Sequence, residues 1–195
     1  MAEAALTPED ILAAAEDVLR RFGPAKATVV DVARVLGVSH GTVYRHFPSK
    51  AALREAVTKR WLARAHAALP AVATGPQSPP LRLRTWLQTL FAAKQRKALD
   101  DPELFATYTV LVGESSALID EHVRGLELQL AGIIAEGQDE RLFSSSVAAE
   151  VLARAVFQAT AHFHDPVYAP TWSAPAVAQE LDELIDLLLH GLARS

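Results

Sequence analysis

Apolar residues along the chain recur mostly three and four positions apart, the period of a helix with one face turned inward. The first such stretch runs from Ile11 through Ala14, Ala15, Val18 and Leu19 to Phe22. Its start is marked by Thr7 as N-cap, Pro8 at the first helical position, and acidic Glu9 and Asp10 in the first turn. Gly23 and Pro24 are expected to stop it. A short second helix opens at Thr28, with Asp31 spaced to close a capping box in place of the usual Glu. It carries Val29, Val32, Ala33 and Leu36 and ends at Gly37, where a tight turn wants positive φ. Ser39 can cap a third helix, from about His40 to Phe47. Pro48 and Ser49 break that helix and start a fourth, which continues through Leu53, Val57, Trp61 and Leu62 towards Leu69.

The stretch from Pro70 to Pro80 is rich in Pro, Gly and Ser and reads as a loop. Longer helices are expected over about 81–99, 102–113, 115–136, 145–164 and 175–193, with Ser115 or Ser116 capping the third of them and Gly137 ending it. Residues 108–112 are β-branched enough to pass for a strand, but no second strand is available to pair with them, so helix is preferred. The pattern predicts an all-α protein of about nine helices. An N-terminal three-helix helix-turn-helix domain is joined by the fourth helix to a C-terminal antiparallel helical bundle. The expected division is into residues 1–50 and 51–195.

Composition narrows the function. Half of the 195 residues are hydrophobic, enough for a substantial core, and there is no cysteine, which excludes disulfides and thiol chemistry. The N-terminus is acidic rather than basic, so no signal peptide is expected. No uncharged apolar run approaches the ~18 residues of a membrane span. The expected setting is therefore cytoplasmic, without a membrane partner. The net charge of −4 is unevenly placed. Between Val18 and Arg60 nine basic residues face two acids, a local +7 that leaves −11 for the remainder. That asymmetry suits a protein that touches a polyanion with one end; chance clustering on solvated faces would give the same count.

The informative segment is Thr28 to Lys50, TVVDVARVLGVSHGTVYRHFPSK. Two short helices joined by Leu36-Gly37-Val38-Ser39 fit a helix-turn-helix, whose second helix presents its free face to a DNA major groove. In residue types and spacing the segment resembles the DNA-binding domain of the TetR (TetR/AcrR) family of transcriptional regulators. The matching positions are Thr28, Asp31, Val32, Ala33, Leu36, Gly37, Val38, Ser39, Gly41, Thr42, Tyr44, His46, Phe47, Ser49 and Lys50. The resemblance implies that His40, Gly41 and Thr42 contact base edges, with Arg45 able to join them, and that Thr28, Tyr44, His46 and Lys50 contact phosphates. Val30 departs from the family, many of whose members have a polar or basic residue near the start of the second helix. Phe47, following the apolar spacing from Val43, is expected in the core.

The resemblance implies DNA binding for residues 1–50 and ligand sensing and dimerisation for residues 51–195, although the body matches the family only in helical character and length. An aromatic-rich bundle can enclose an apolar ligand or be a solid core. The resemblance favours a pocket for a small apolar effector, lined by Trp86, Phe91, Phe105, Tyr108, His122, Phe157, Gln158 and His162; Glu114 and Asp120 are further candidates for orienting a ligand. The helices after residues 145 and 175 carry Val151, Ala155, Ala159, Leu181, Leu184 and Leu188, which could pair across a homodimer or pack within one chain. His162, His164 and Asp165 invite comparison with a metal site, but residues two apart on a helix diverge, and none is expected. No cofactor is expected either. The chain has no Gly-rich phosphate loop, GxSxG or HExxH, so an enzyme is not expected. The function implied is a repressor that binds double-stranded palindromic DNA as a homodimer and is released by a small-molecule effector. A ligand-independent DNA-binding protein is the alternative.

Overall fold

A computed structural model describes residues 6–114 and 117–193. Ser115 and Ser116, expected to cap a helix, lie outside the described residues. The rest is all-α: ten α-helices and two 3-10 turns. The described residues fall into two compact units, one within Met1–Ala65 and Lys97–Leu118, the other within His66–Arg96 and Ile119–Ser195. This division by compactness does not follow a cut at residue 50.

In the first unit, α1 (Pro8–Lys26) begins with the predicted cap. The Asp10 amide donates to Thr7 Oγ1 at 3.2 Å and the Thr7 amide donates to the Asp10 carboxylate at 2.9 Å. Gly23 interrupts it, with φ of 70° and ψ of 168°, and Pro24 follows, so the helix kinks at the expected stop and resumes for three residues. The next two helices are α2 (Val29–Leu36) and α3 (His40–His46), followed by α4 (Lys50–Ala65), which ends four residues before the expected Leu69. The unit is completed by α7 (Pro102–Gly113), the β-branched segment, which packs against α1 and α4. Its threonines avoid competing with the helix by donating to carbonyls one turn back: Thr107 to Glu103 O and Thr109 to Phe105 O, both at 3.0 Å.

Buried acids tie these helices together. Glu16, 3% exposed, accepts from Arg20, Arg60 and Arg64. Asp101 accepts from Arg20 and from the Trp61 indole. Two basic residues of the positive stretch, Arg20 and Arg60, are thus neutralised internally. Arg34 pairs with Asp31, and Arg54 with Glu114. The local excess of +7 therefore overstates the charge presented to a partner.

The second unit contains α5 (Leu69–Ala73), most of α6 (Pro79–Asp100) and α8 (Ala117–Asp139), α9 (Ala149–Ala159) and α10 (Val177–Leu192). α5 corrects the expected loop. A proline in the first turn costs a helix nothing, and Leu69 and Ala73, one turn apart, are both buried. α9 is shorter than expected. Thr160 turns its hydroxyl back onto Val156 O and Phe157 O, and 3-10 turns at Ala161–Phe163 and Pro166–Thr171 follow. They deliver Trp172 into the core, where its indole donates to His162 O at 2.8 Å. α6 is clamped to α8 by Trp86 donating to Gln129 and by Arg82 pairing with Glu136, and to α10 by Arg84 with Asp182 and Asp186.

Candidate functional site

The turn between α2 and α3 follows from Gly37. At φ 68° and ψ 25° it occupies the left-handed region. The Val38 amide donates to Ala33 O at 3.0 Å and the Gly37 amide to Arg34 O at 3.2 Å, closing α2. The chain then restarts at Ser39, whose Oγ accepts from the Thr42 amide at 3.2 Å. α3 is seven residues long, so its anchorage matters more than its propensity. Val43 provides it, with no exposed surface. Phe47, expected in the core, is half-buried.

The remainder of α3 points outward. His40, Gly41, Tyr44, Arg45 and His46 are exposed and Thr42 is half-buried. His40 and Tyr44, one turn apart, stand edge to face with ring centroids 6.4 Å apart. Arg45 donates to Thr42 Oγ1 at 3.2 Å, and that hydroxyl also shares a hydrogen bond with Ser39. The α3 residues nominated from the sequence thus lie together on one short surface. Lys50 is the exposed first residue of α4, whose start is capped by Ser49 accepting from the Ala52 amide at 3.0 Å.

Thr28 is placed differently from the others. Its hydroxyl donates to Asp31 Oδ2 at 2.6 Å and its amide donates to the same oxygen at 3.2 Å. Both donors are committed, and they hold the Asp31 carboxyl below the usual carboxylate range. A phosphate reaching Thr28 would have to displace a carboxylate. Val30, the position that departs from the family pattern, is 52% exposed.

In the body, the eight nominated pocket residues do not share one interior. Phe105 and Tyr108 belong to the first unit, where both rings lie against Trp61 at 6.4 and 5.9 Å. Gln158 is exposed, and His162 is half-buried beside Tyr168. Trp86, Phe91 and Phe157 are buried in the second unit. Glu114 is held by Arg54, and Asp120 is exposed. Among the six nominated interface residues, Leu181 is 2% exposed within one chain and serves that chain's own core. Val151, Ala155 and Ala159 are exposed, and Leu184 and Leu188 half-buried.

The sequence reading missed a histidine cluster in the second unit. His66 and His122 stack with ring centroids 4.9 Å apart and planes 14° from parallel. Both ring nitrogens of His66, and Nε2 of His122, are buried without a hydrogen-bond partner. His164 is buried, stacked on Phe157 at 4.1 Å, with Nε2 2.9 Å from Phe157 O. Burial, and then the charge of nearby Lys94, push His66 down to about 2 and His122 to about 4. Burial also takes His164 to about 4, against the opposing bond to Phe157 O. A signal was available: His66 follows Trp61 and Leu62 at helical spacing, and Lys94 follows Leu90 and Phe91 in the same way. His162 and His164 do not converge with Asp165, and among the described residues no group of three or more metal-ligating side chains is assembled. Among the described residues no helix is long and apolar enough to cross a membrane.

Two family models match the chain. Residues 11–57 match the bacterial regulatory proteins of the tetR family, and residues 79–185 match the tetracyclin repressor-like C-terminal domain. The HTH-type transcriptional regulator TtgR of Pseudomonas putida is 29% identical over 147 residues, covering 70% of each protein. SmeT, described as the repressor of the Stenotrophomonas maltophilia multidrug efflux pump SmeDEF, shares the fold. Its TM-score is 0.70 at 17% identity, with 98% of this chain and 92% of SmeT covered. FadR of Bacillus subtilis, determined in complex with stearoyl-CoA, superposes with a TM-score of 0.69 at 16% identity, covering 95% of this chain and all of FadR.

Proposed function

The chain belongs to the TetR family of bacterial regulatory proteins and is a DNA-binding transcriptional regulator, and from this we propose that it is a repressor, binding a palindromic operator as a homodimer and leaving it when a small molecule occupies the C-terminal bundle. The observation that carries the reading is the two-sidedness of α3: Val43 is wholly enclosed while His40, Gly41, Tyr44 and Arg45 face outward. A helix held by one apolar residue and polar elsewhere is built to enter a groove.

In this reading residues 1–50 are the DNA-binding domain. His40, Gly41, Thr42 and Arg45 read base edges, Gly41 letting the backbone approach. Tyr44, His46 and Lys50 grip phosphates, with Lys50 adding its ammonium to the amide-rich start of α4. Thr28 supports the reader through its cap rather than by touching DNA. One α3 reads too few bases for useful specificity, which calls for a twofold assembly. The exposed apolar side chains Val151 and Leu187, with Ala155, Ala159, Leu184 and Leu188, supply the face for it. Effector binding then shifts the population between DNA-fitting and non-fitting arrangements.

The test is fluorescence anisotropy on DNA flanking the protein's own gene. Lys50→Ala is expected to weaken binding across all sequences and to reduce the salt slope by about 1, whereas Thr42→Ala changes the preference between sequences. An unchanged affinity and slope for Lys50→Ala would refute the phosphate assignment.

A further inference from the structure

Resting on the reading of α3 as the helix that enters DNA, we propose that Arg45 reads one guanine in each operator half-site, through the N7 and O6 acceptors, and that Thr42 is the residue that positions it.

The charge pattern singles Arg45 out. Between Val18 and Arg60 the chain has six arginines. Arg20, Arg34, Arg54 and Arg60 are each paired with a carboxylate, and Arg21 lies over the Phe22 ring. Arg45 is exposed and, among the described residues, pairs with no acid; its hydrogen bond goes to the neutral Thr42 hydroxyl. A guanidinium held in this way keeps its charge uncancelled and most of its N–H donors unspent.

Helix geometry sets where the side chain stands. At about 3.6 residues per turn, Gly41 and Arg45 each lie about 160° around α3 from the buried Val43, one on either side of the line opposite it. They form the outermost strip of the helix, the part that reaches the floor of a groove. Thr42 and Tyr44 lie about 100° from Val43, on the two flanks, where the groove walls carry the phosphates. Helical side chains lean towards the N-terminus, and the bond from Arg45 Nη2 to Thr42 Oγ1 at 3.2 Å shows that Arg45 does so. Gly41, one turn earlier, leaves the way open: a Cβ there would meet only Ser39 Oγ, at 3.7 Å. Thr42 is fixed in turn, its amide donating to Ser39 Oγ at 3.2 Å and its hydroxyl sharing a hydrogen bond with the same oxygen at 3.0 Å. The helix cap therefore orients Thr42, and Thr42 orients Arg45, so the influence of Thr42 on base choice passes through the arginine.

The shape of the head sets the base. In the major groove guanine presents two acceptors, N7 and O6, which match a pair of guanidinium N–H groups. Adenine sets a donor beside its acceptor, cytosine offers a donor, and thymine a single acceptor beside a methyl group. A twofold assembly carries the arginine twice, which places one such guanine in each half-site.

The experiment selects duplexes from a random library with the full chain and measures their binding by anisotropy. The selected guanine is then replaced by 7-deazaguanine, which lacks N7, or by hypoxanthine, which keeps N7 and O6 and lacks only the minor-groove amino group. 7-Deazaguanine is expected to weaken binding by about fivefold or more, and hypoxanthine by less than about twofold. Arg45→Ala is expected to bind the guanine and 7-deazaguanine duplexes alike and to lose preference at that base pair, with an unchanged melting temperature because the side chain is exposed. Thr42→Val should shrink the 7-deazaguanine effect at the same base pair, and Thr42→Ser should restore it. Selected sites without a shared guanine, or indifference to 7-deazaguanine, overturn the proposal. So does an Arg45→Ala protein that loses affinity equally for all duplexes with a salt slope lower by about 1, which would place Arg45 on a phosphate and leave operator binding standing. Preference lost at different base pairs in Arg45→Ala and Thr42→Val overturns the positioning role of Thr42. Enrichment of no sequence refutes operator binding, and the proposal with it.

Discussion

Thr28 illustrates how much of this molecule is written at single positions. Its side chain and that of Asp31 satisfy each other and the orphan amides at the start of α2, within four residues of sequence. Such a device is legible because every partner is local. Thr28→Ala is expected to cost about 1 kcal/mol of stability, measured by urea unfolding, and Thr28→Ser to recover most of it. A Thr28→Ala protein of unchanged stability whose DNA affinity alone fell would return Thr28 to the phosphate contacts. Polar residues with distant partners are illegible by the same logic. His66 and Lys94 occupy apolar helix positions, but helical spacing says only that they turn inward. That a second imidazole from α8 stacks on His66 is a tertiary fact. The sequence reading named His122 for the pocket and His164 only as part of a metal comparison, without the partner that gives either a role.

At the scale of elements, helices with strong period and caps were readable, and their ends less so. Gly137 looks like a terminator of α8, yet the helix continues to Asp139. The glycine has a different purpose: a Cβ there would lie 2.2 Å from the Phe143 ring, which returns over the helix and is 2% exposed. The turn that brings Phe143 back passes through Arg141 at φ 61°, with the Leu142 and Phe143 amides both donating to Gly137 O. Gly137→Ala should therefore destabilise by about 1–3 kcal/mol, as overpacking does, despite the better helix propensity of alanine. Adding Phe143→Leu should recover part of the loss. Thermal unfolding of the two variants decides it; a stabilised Gly137→Ala would mean the ring is free to leave. α5 and the end of α9 escaped the sequence reading for related reasons. Proline at a helix start and proline in a loop look alike, and the back-bonding of Thr160 becomes visible only once Trp172 is seen to need delivery into the core.

For the whole molecule, two properties test the proposed assembly and the interior separately. Val151 on α9 and Leu187 on α10, 54% and 68% exposed, are the large apolar side chains that the proposed twofold assembly would cover. Leu187→Glu is expected to convert a dimer to a monomer in light scattering and to abolish operator binding while leaving the monomer folded. A dimer that persisted would move the interface elsewhere. The interior is tested by acid. Three imidazoles of the second unit are held neutral when folded, His66 at about 2, His122 at about 4 and His164 at about 4, because burial penalises their charged forms. In the unfolded chain they titrate near ~6.5. Below that pH the unfolded state binds protons that the folded state does not, so stability falls as pH falls. The stability they contribute is complete above ~6.5, and each group can withdraw up to about 1.4 kcal/mol per pH unit beneath it. The charge of Lys94 makes protonation of any of the three harder still. The low carboxylates Asp10 and Asp31 are fully ionised over this range and add no slope of their own. Urea unfolding at about pH 7.5 and about pH 5 should therefore show a marked loss of stability at the lower value. Replacing His66 with Phe should lessen the dependence, since one of the three groups that stay neutral in the folded state over this range is gone. A stability that held level between those two values would mean that water reaches these rings, and the buried cluster would lose its meaning.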